Sequence, residues 1–193
     1  IRPTQIMIGN GSNELINLIY RIFSEQKNDN VVAMDPTYGM YKVAADINNV
    51  EYRNVLLDSN YNFSADTLLK NTNNNTKVIF LCSPNNPTGN LLDRKEIEKV
   101  LNNFNGIVVI DEAYVDFGAE SCADLICKYD NLIVCMTYSK SRSMAGARLG
   151  FALANEDIIK DLETLKYSTN PYSVNRLTMK AGIAAFSKGA SKY

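Results

Sequence analysis

Two hydrophobic rhythms alternate along the chain. Short, largely apolar runs bounded by turn residues mark strands at residues 6–8, 31–34, 51–56, 77–82, 107–111, 132–137 and 150–154. Between them the apolar positions recur at helical spacing. Leu15, Ile16, Leu18, Ile19 and Ile22 form one such face, and helices are predicted to open near Tyr38 and to cover 64–69, 93–103, 156–166 and 176–186. Strand and helix therefore alternate from end to end. That pattern predicts an α/β fold: a three-layer αβα sandwich around a mostly parallel seven-stranded sheet. No repeat or linker divides it, so residues 1–186 read as one domain and 187–193 as a polar tail that frays.

The chemistry gathers where strands end. The first strand breaks into Gly9-Asn10-Gly11-Ser12-Asn13-Glu14, a glycine-rich turn entering a helix. Such a turn presents free N–H groups and the positive end of the helix dipole, a seat for an anion. Capping by Ser12 or Asn13 is the plainer reading. Glu14 stands where a dinucleotide fingerprint needs glycine, which argues against an oxidoreductase. Tyr38 follows the second strand, on the side where open α/β sheets collect ligands, although from position alone a half-buried packing tyrosine is the plainer reading. In Ser83-Pro84-Asn85-Asn86-Pro87-Thr88-Gly89 two prolines and a glycine hold Asn86 beside a sheet end. The run Ile107–Ile110 delivers Asp111, with Tyr114 three residues on. A carboxylate at that tip is costly unless it meets donors or a cation, or caps a helix. Beyond the sixth strand stand Thr137, Ser139 and Lys140, and Arg148 precedes the seventh. An amine for a Schiff base, with hydroxyls and a guanidinium for a phosphate dianion, suits pyridoxal phosphate. Burial would help such a lysine act as a base. The loop 71–76 carries no evident function.

Composition narrows the classes. Net charge is −1, from 20 basic and 21 acidic residues, so bulk electrostatics favour neither nucleic acid nor an anionic membrane. No apolar run is long enough to span a bilayer, and no signal-peptide pattern opens the chain. Cys82, Cys122, Cys127 and Cys135 lack metal-ligand spacing and suit reduced thiols in the cytoplasm. Histidine is absent, so acid–base work falls to Lys, Tyr, Asp or Glu.

Taken in order, Ser-Pro-Asn-Asn-Pro-Thr-Gly, Asp-Glu-Ala-Tyr and Ser-Lys…Ala-Gly-Ala-Arg-Leu-Gly-Phe resemble the fold-type I pyridoxal-phosphate enzymes, in particular the class I/II aminotransferases. With Pro36–Tyr41, Cys82–Gly89 and Asp111–Phe117 added, the set looks most like the histidinol-phosphate aminotransferase group, over essentially the whole chain. The resemblance implies transamination in histidine biosynthesis, an amino donor such as histidinol phosphate, 2-oxoglutarate as acceptor, and a homodimer. It implies that Lys140 forms the Schiff base and later moves the α-proton, while Asp111 faces the pyridinium nitrogen. Tyr114 and Asn86 would hydrogen-bond the ring's 3-oxygen, and Tyr38 would stack on the ring. Arg148, Thr137, Ser139 and the Ser12–Asn13 turn would hold the phosphate. The family often has an acid where this chain has Asn13, but a backbone contact survives that change.

The resemblance also implies segments not seen here: an N-terminal region, a tyrosine reaching the phosphate from a partner subunit, and a C-terminal small domain with the arginine for the substrate carboxylate. The residues in hand then correspond to the cofactor-binding large domain, expected to show little turnover alone. A threonine-phosphate decarboxylase-like lyase and a non-catalytic cofactor-binding module are the alternatives.

Overall fold

The computed structural model describes residues 1–187; the polar tail expected from 187 onward lies, apart from Ser187, outside the described residues. Seven strands form one sheet: β1 (Ile6–Asn10), β2 (Asn30–Asp35), β3 (Glu51–Leu56), β4 (Thr76–Cys82), β5 (Ile107–Asp111), β6 (Leu132–Thr137) and β7 (Leu149–Leu153). Their order is β1-β7-β6-β5-β4-β2-β3. All pairings are parallel except those of β7, which runs against both β1 and β6. Because β7 alone is reversed, the carboxyl ends of the other six strands and the amino end of β7 share one edge of the sheet. Thr76, expected in a surface loop, opens β4 and is buried, its hydroxyl donating to Asn30 Oδ1 at 2.7 Å.

Alternation along the central strands sorts their side chains between two cores. Val78, Phe80 and Cys82 of β4, Val109 of β5 and Ile133 and Cys135 of β6 face one core. There they meet α1 (Gly11–Phe23), α2 (Met40–Ile47) and α5 (Glu156–Thr169). Ile79, Leu81, Val108, Ile110, Leu132 and Val134 face the other, under α3 (Ala65–Lys70) and α4 (Arg94–Asn103). The final helix, α6 (Arg176–Ala185), carries Thr178, whose hydroxyl donates to the Ala147 carbonyl at 2.9 Å.

The helix starts follow local chemistry. Ser64, Asp93, Asn155 and Asn175 cap α3, α4, α5 and α6 through side-chain oxygens. α1 differs: it begins at Gly11 after Asn10, whose side chain makes no cap, so the expectation of capping by Ser12 or Asn13 does not hold. Instead Glu14 folds back to accept the Asn10 N–H at 2.6 Å.

β7 brings this helix start against the sheet. A Cβ on Gly150 would lie 2.7 Å from both the Gly11 carbonyl carbon and the Ser12 nitrogen, and neither backbone atom can swing away. Gly150→Ala is therefore expected to cost about 1–3 kcal/mol, the usual range for overpacking, read as a lower denaturant midpoint in chemical unfolding. An unchanged midpoint would mean that β7 and α1 are not in such close contact.

Candidate active site

Parallel register places a row of polar groups at one edge. Cys82 of β4 pairs with Asp111 of β5, and Asp111 with Cys135 of β6. Period two along β5 turns Asp111 to the same face as Val109, the face covered by α1 and α2. There Tyr41 of α2 donates its hydroxyl to Asp111 Oδ2 at 2.8 Å, and the Ala113 N–H donates to Oδ1 at 3.1 Å. The alternative of a helix cap fails, because no α-helix follows Asp111; a one-turn 3-10 helix begins only at Val115. Asp111 is buried, and burial raises its carboxyl pKa against the lowering effect of those two bonds. Its negative charge in turn adds to the burial that pushes the Cys82 thiol up to about 12 and the Cys135 thiol well above its usual value.

The opposite charge collects across the pocket. The first N–H groups of α1 have no acceptor within the helix and no side-chain cap. Gly11 enters the helix at φ +73°, and a Cβ there would collide with Arg148 Nη2. Arg148 thus lies directly over the positive end of the dipole. Its Nη1 donates to the Ala145 carbonyl at 3.1 Å, and among the described residues it has no carboxylate partner. Arg148 stands at the amino end of β7, as its place before the seventh apolar run implies, whereas the other candidates follow strands or open helices; it reaches the same edge because β7 is antiparallel.

The remaining candidates stand around these two poles. Tyr38 donates to Asn13 Oδ1 at 3.2 Å and sets its edge against Tyr41, the ring centroids 5.6 Å apart. Burial, then the nearby Asp111 charge, raises the Tyr38 pKa. Thr137 Oγ1 and Ser139 Oγ bond each other at 3.0 Å. Lys140 Nζ lies 5.4 Å from the centroid of the Tyr114 ring. Ser12, Asn13, Tyr38, Asn86, Asp111, Tyr114, Thr137, Ser139, Lys140 and Arg148 all line one pocket of about 170 Å³, joined by Cys82, Ala113 and Ala145. One expectation is corrected: Lys140 is exposed, so these residues do not supply the burial foreseen around it.

Two further buried residues, neither of them a candidate by sequence, hold the pocket in place. Asn85 is buried and ties its own turn to the segment after β2: it accepts from Thr37 Oγ1 at 2.8 Å and donates to the Pro36 carbonyl at 2.9 Å and to Thr88 Oγ1 at 2.7 Å. Its position in a proline-bounded turn was the available signal. Glu112, also buried, accepts from Ser121 Oγ and the Cys122 N–H, each at 2.6 Å, and anchors the segment that follows Tyr114. Nothing distinguishes it by pattern from Asp111 beside it.

The sequence model of the family "Aminotransferase class I and II" matches residues 1–192. The chain belongs to the class I and II aminotransferases. Enzymes of that family depend on pyridoxal phosphate. Among its relatives, the histidinol-phosphate aminotransferase of Bacteroides thetaiotaomicron is 56% identical over 189 residues, covering 97% of this chain and 54% of that protein. That of Parabacteroides distasonis is 51% identical over 181 residues, 93% of this chain and 52% of the relative. The chain thus spans about half the length of the curated relatives it matches. Among solved structures, the histidinol-phosphate aminotransferase of Clostridium acetobutylicum superposes with a TM-score of 0.85 at 23% identity, over 97% of this chain and 56% of that one. Aspartate aminotransferase from Thermus thermophilus gives 0.90 at 17% identity, over 100% and 52%. At those identities the likeness shows the aminotransferase fold.

The donor set fits the family's cofactor. A helix start and a guanidinium side by side suit a phosphate, and a buried carboxylate without a cationic side chain beside it suits a protonated ring nitrogen. The charge of Asp111 has a cost that can be measured in the cofactor-free chain. Its folded pKa is raised above the unfolded value of about 4, so the stability it contributes is present below that value and lost as pH rises through the folded pKa. Asp111→Asn is thus expected to gain in melting temperature relative to the unaltered chain as pH rises from about 4 towards neutrality. A gap that does not change with pH would contradict the assignment.

Proposed function

We propose that these residues are the cofactor-binding large domain of a pyridoxal-phosphate-dependent aminotransferase, one that moves an amino group from histidinol phosphate to 2-oxoglutarate. The observation that carries the reading is the pairing in one pocket of an unneutralised carboxylate, Asp111, with an unneutralised anion seat, Arg148 over the start of α1. The identity to histidinol-phosphate aminotransferases supports the choice of substrate.

Bound pyridoxal phosphate supplies an aldehyde and a ring able to accept electrons from the substrate's α-carbon. The chain's own residues then have separable tasks. Arg148 and the N–H groups of Ser12 and Asn13 bind the phosphate, assisted by the hydroxyls of Thr137 and Ser139. Asp111 holds the proton on the ring nitrogen, and each charge favours the other. Tyr38 supports the ring from the side of α2. Asn86 and Tyr114 donate towards the ring's 3-oxygen. Lys140 Nζ holds the cofactor and afterwards takes and returns the α-proton. Lys140 is exposed among these residues, so its surroundings are to be completed from beyond the edge of the sheet. A homodimer completing the site at this edge is part of the same proposal.

Two outcomes test it. Arg148→Ala is expected to weaken pyridoxal phosphate binding about tenfold or more, the worth of a charge-assisted contact, while leaving binding of phosphate-free pyridoxal unchanged in equilibrium dialysis. Equal losses for both ligands would remove Arg148 from the phosphate seat. A protein spanning the full length of the relatives is expected to form glutamate from 2-oxoglutarate and histidinol phosphate without releasing carbon dioxide from threonine phosphate. The reverse would identify a decarboxylase.

A further inference from the structure

Tyr41 lies on the buried face of α2 and is fully enclosed. Its ring stacks on Phe80, with centroids 4.8 Å apart and planes at 16°, and Phe80 stacks in turn on Tyr20 at 5.3 Å. The Tyr20 hydroxyl donates to the backbone carbonyl of Tyr41 at 2.8 Å, so the residue is fixed at both ring and backbone. Such a site asks for an aromatic ring, and phenylalanine would fill it without a polar atom to satisfy. The hydroxyl that is present instead has Asp111 Oδ2 as its acceptor, and it is the only side-chain donor to that carboxylate among the described residues.

We propose that Tyr41 is a positioning residue for Asp111, fixing the carboxylate so that it can pair with the ring nitrogen of the cofactor. This deepens the pyridoxal phosphate reading and rests on it. The groups that face Asp111 from the adjoining elements are Cys82 of β4, Cys135 of β6, Tyr38 ahead of α2 and the neighbouring Glu112, none of them a cation. Without the Tyr41 hydroxyl, Oδ2 would lose its described donor and the carboxylate would keep only the Ala113 N–H on Oδ1. The side chain would then be free to rotate about its last bond, and its charged form would be less favoured. A ring nitrogen would find its partner less well aligned and less fully ionised.

The test compares Tyr41→Phe, Asp111→Asn and the double variant of the 193-residue chain. Each is titrated by equilibrium dialysis with pyridoxal phosphate and with its 1-deaza analogue, which carries carbon in place of the ring nitrogen. Tyr41→Phe deletes one oxygen and keeps the stacked ring, and circular dichroism checks that the variant is folded. Its affinity for pyridoxal phosphate is expected to fall about tenfold, the worth of a hydrogen bond to a charged group. Binding of the deaza analogue should stay within about twofold, and the loss should disappear when Asp111 is also replaced. Equal losses for both ligands, a loss that persists undiminished in the double variant, or no loss at all would each overturn the role given to Tyr41. Those results would leave the cofactor reading standing. Failure of the unaltered chain to bind either ligand would overturn both.

Discussion

Burial of the Asp111 carboxylate without a neighbouring cation is the constraint on which the rest of the site turns. An isolated charge in such a place costs several kcal/mol unless it is compensated, and the protein provides only a tyrosine hydroxyl and one backbone N–H. At the other pole Arg148 lies over the start of α1, where both sources of charge are positive. The buried carboxylate is costly alone, and the exposed guanidinium has no carboxylate partner among the described residues. A ligand carrying a cation at one end and a dianion at the other offsets the first and engages the second, and for that reason a cofactor with a protonated ring and a phosphate matches the pocket better than a neutral molecule of the same size.

The fold supplies that separation of charge through register and direction. Parallel pairing of β4, β5 and β6 lines up Cys82, Asp111 and Cys135 on the face covered by α2, which is how a tyrosine seventy residues away in sequence reaches the carboxylate. Reversal of β7 brings Arg148 to the edge where the other strands end. Gly150 then lets the start of α1 lie close against β7. Polar network and backbone packing are thus two aspects of one arrangement.

Most of the architecture was legible in the chain. The central strands are near-continuous apolar runs cut off by polar or proline-rich turns; β3, β5 and β6 fall on their expected residues and β1, β2, β4 and β7 within two of them. The ten candidate residues could be found because each follows a strand or opens a helix, or matches a family motif. What local pattern could not supply was direction and partnership. Nothing in Leu149–Leu153 says that it runs antiparallel, and Tyr41 reads as one more apolar position on a helix face. Asn10 makes no side-chain cap on α1 although asparagine is a good capping residue, and Glu14 accepts its N–H. The exposure of Lys140 was equally hidden, since burial there depends on what lies across the edge of the sheet rather than on neighbours in sequence.

The central claim is that one lysine among the many on this surface is set apart to bind the cofactor aldehyde. Adding pyridoxal phosphate to the chain, reducing with borohydride and mapping the labelled peptides tests it most directly. The label is expected on Lys140, in an amount that saturates at one per chain and that falls when Asp111 or Arg148 is replaced. Labels scattered over the surface lysines, or a label on Lys140 indifferent to both replacements, would contradict the account.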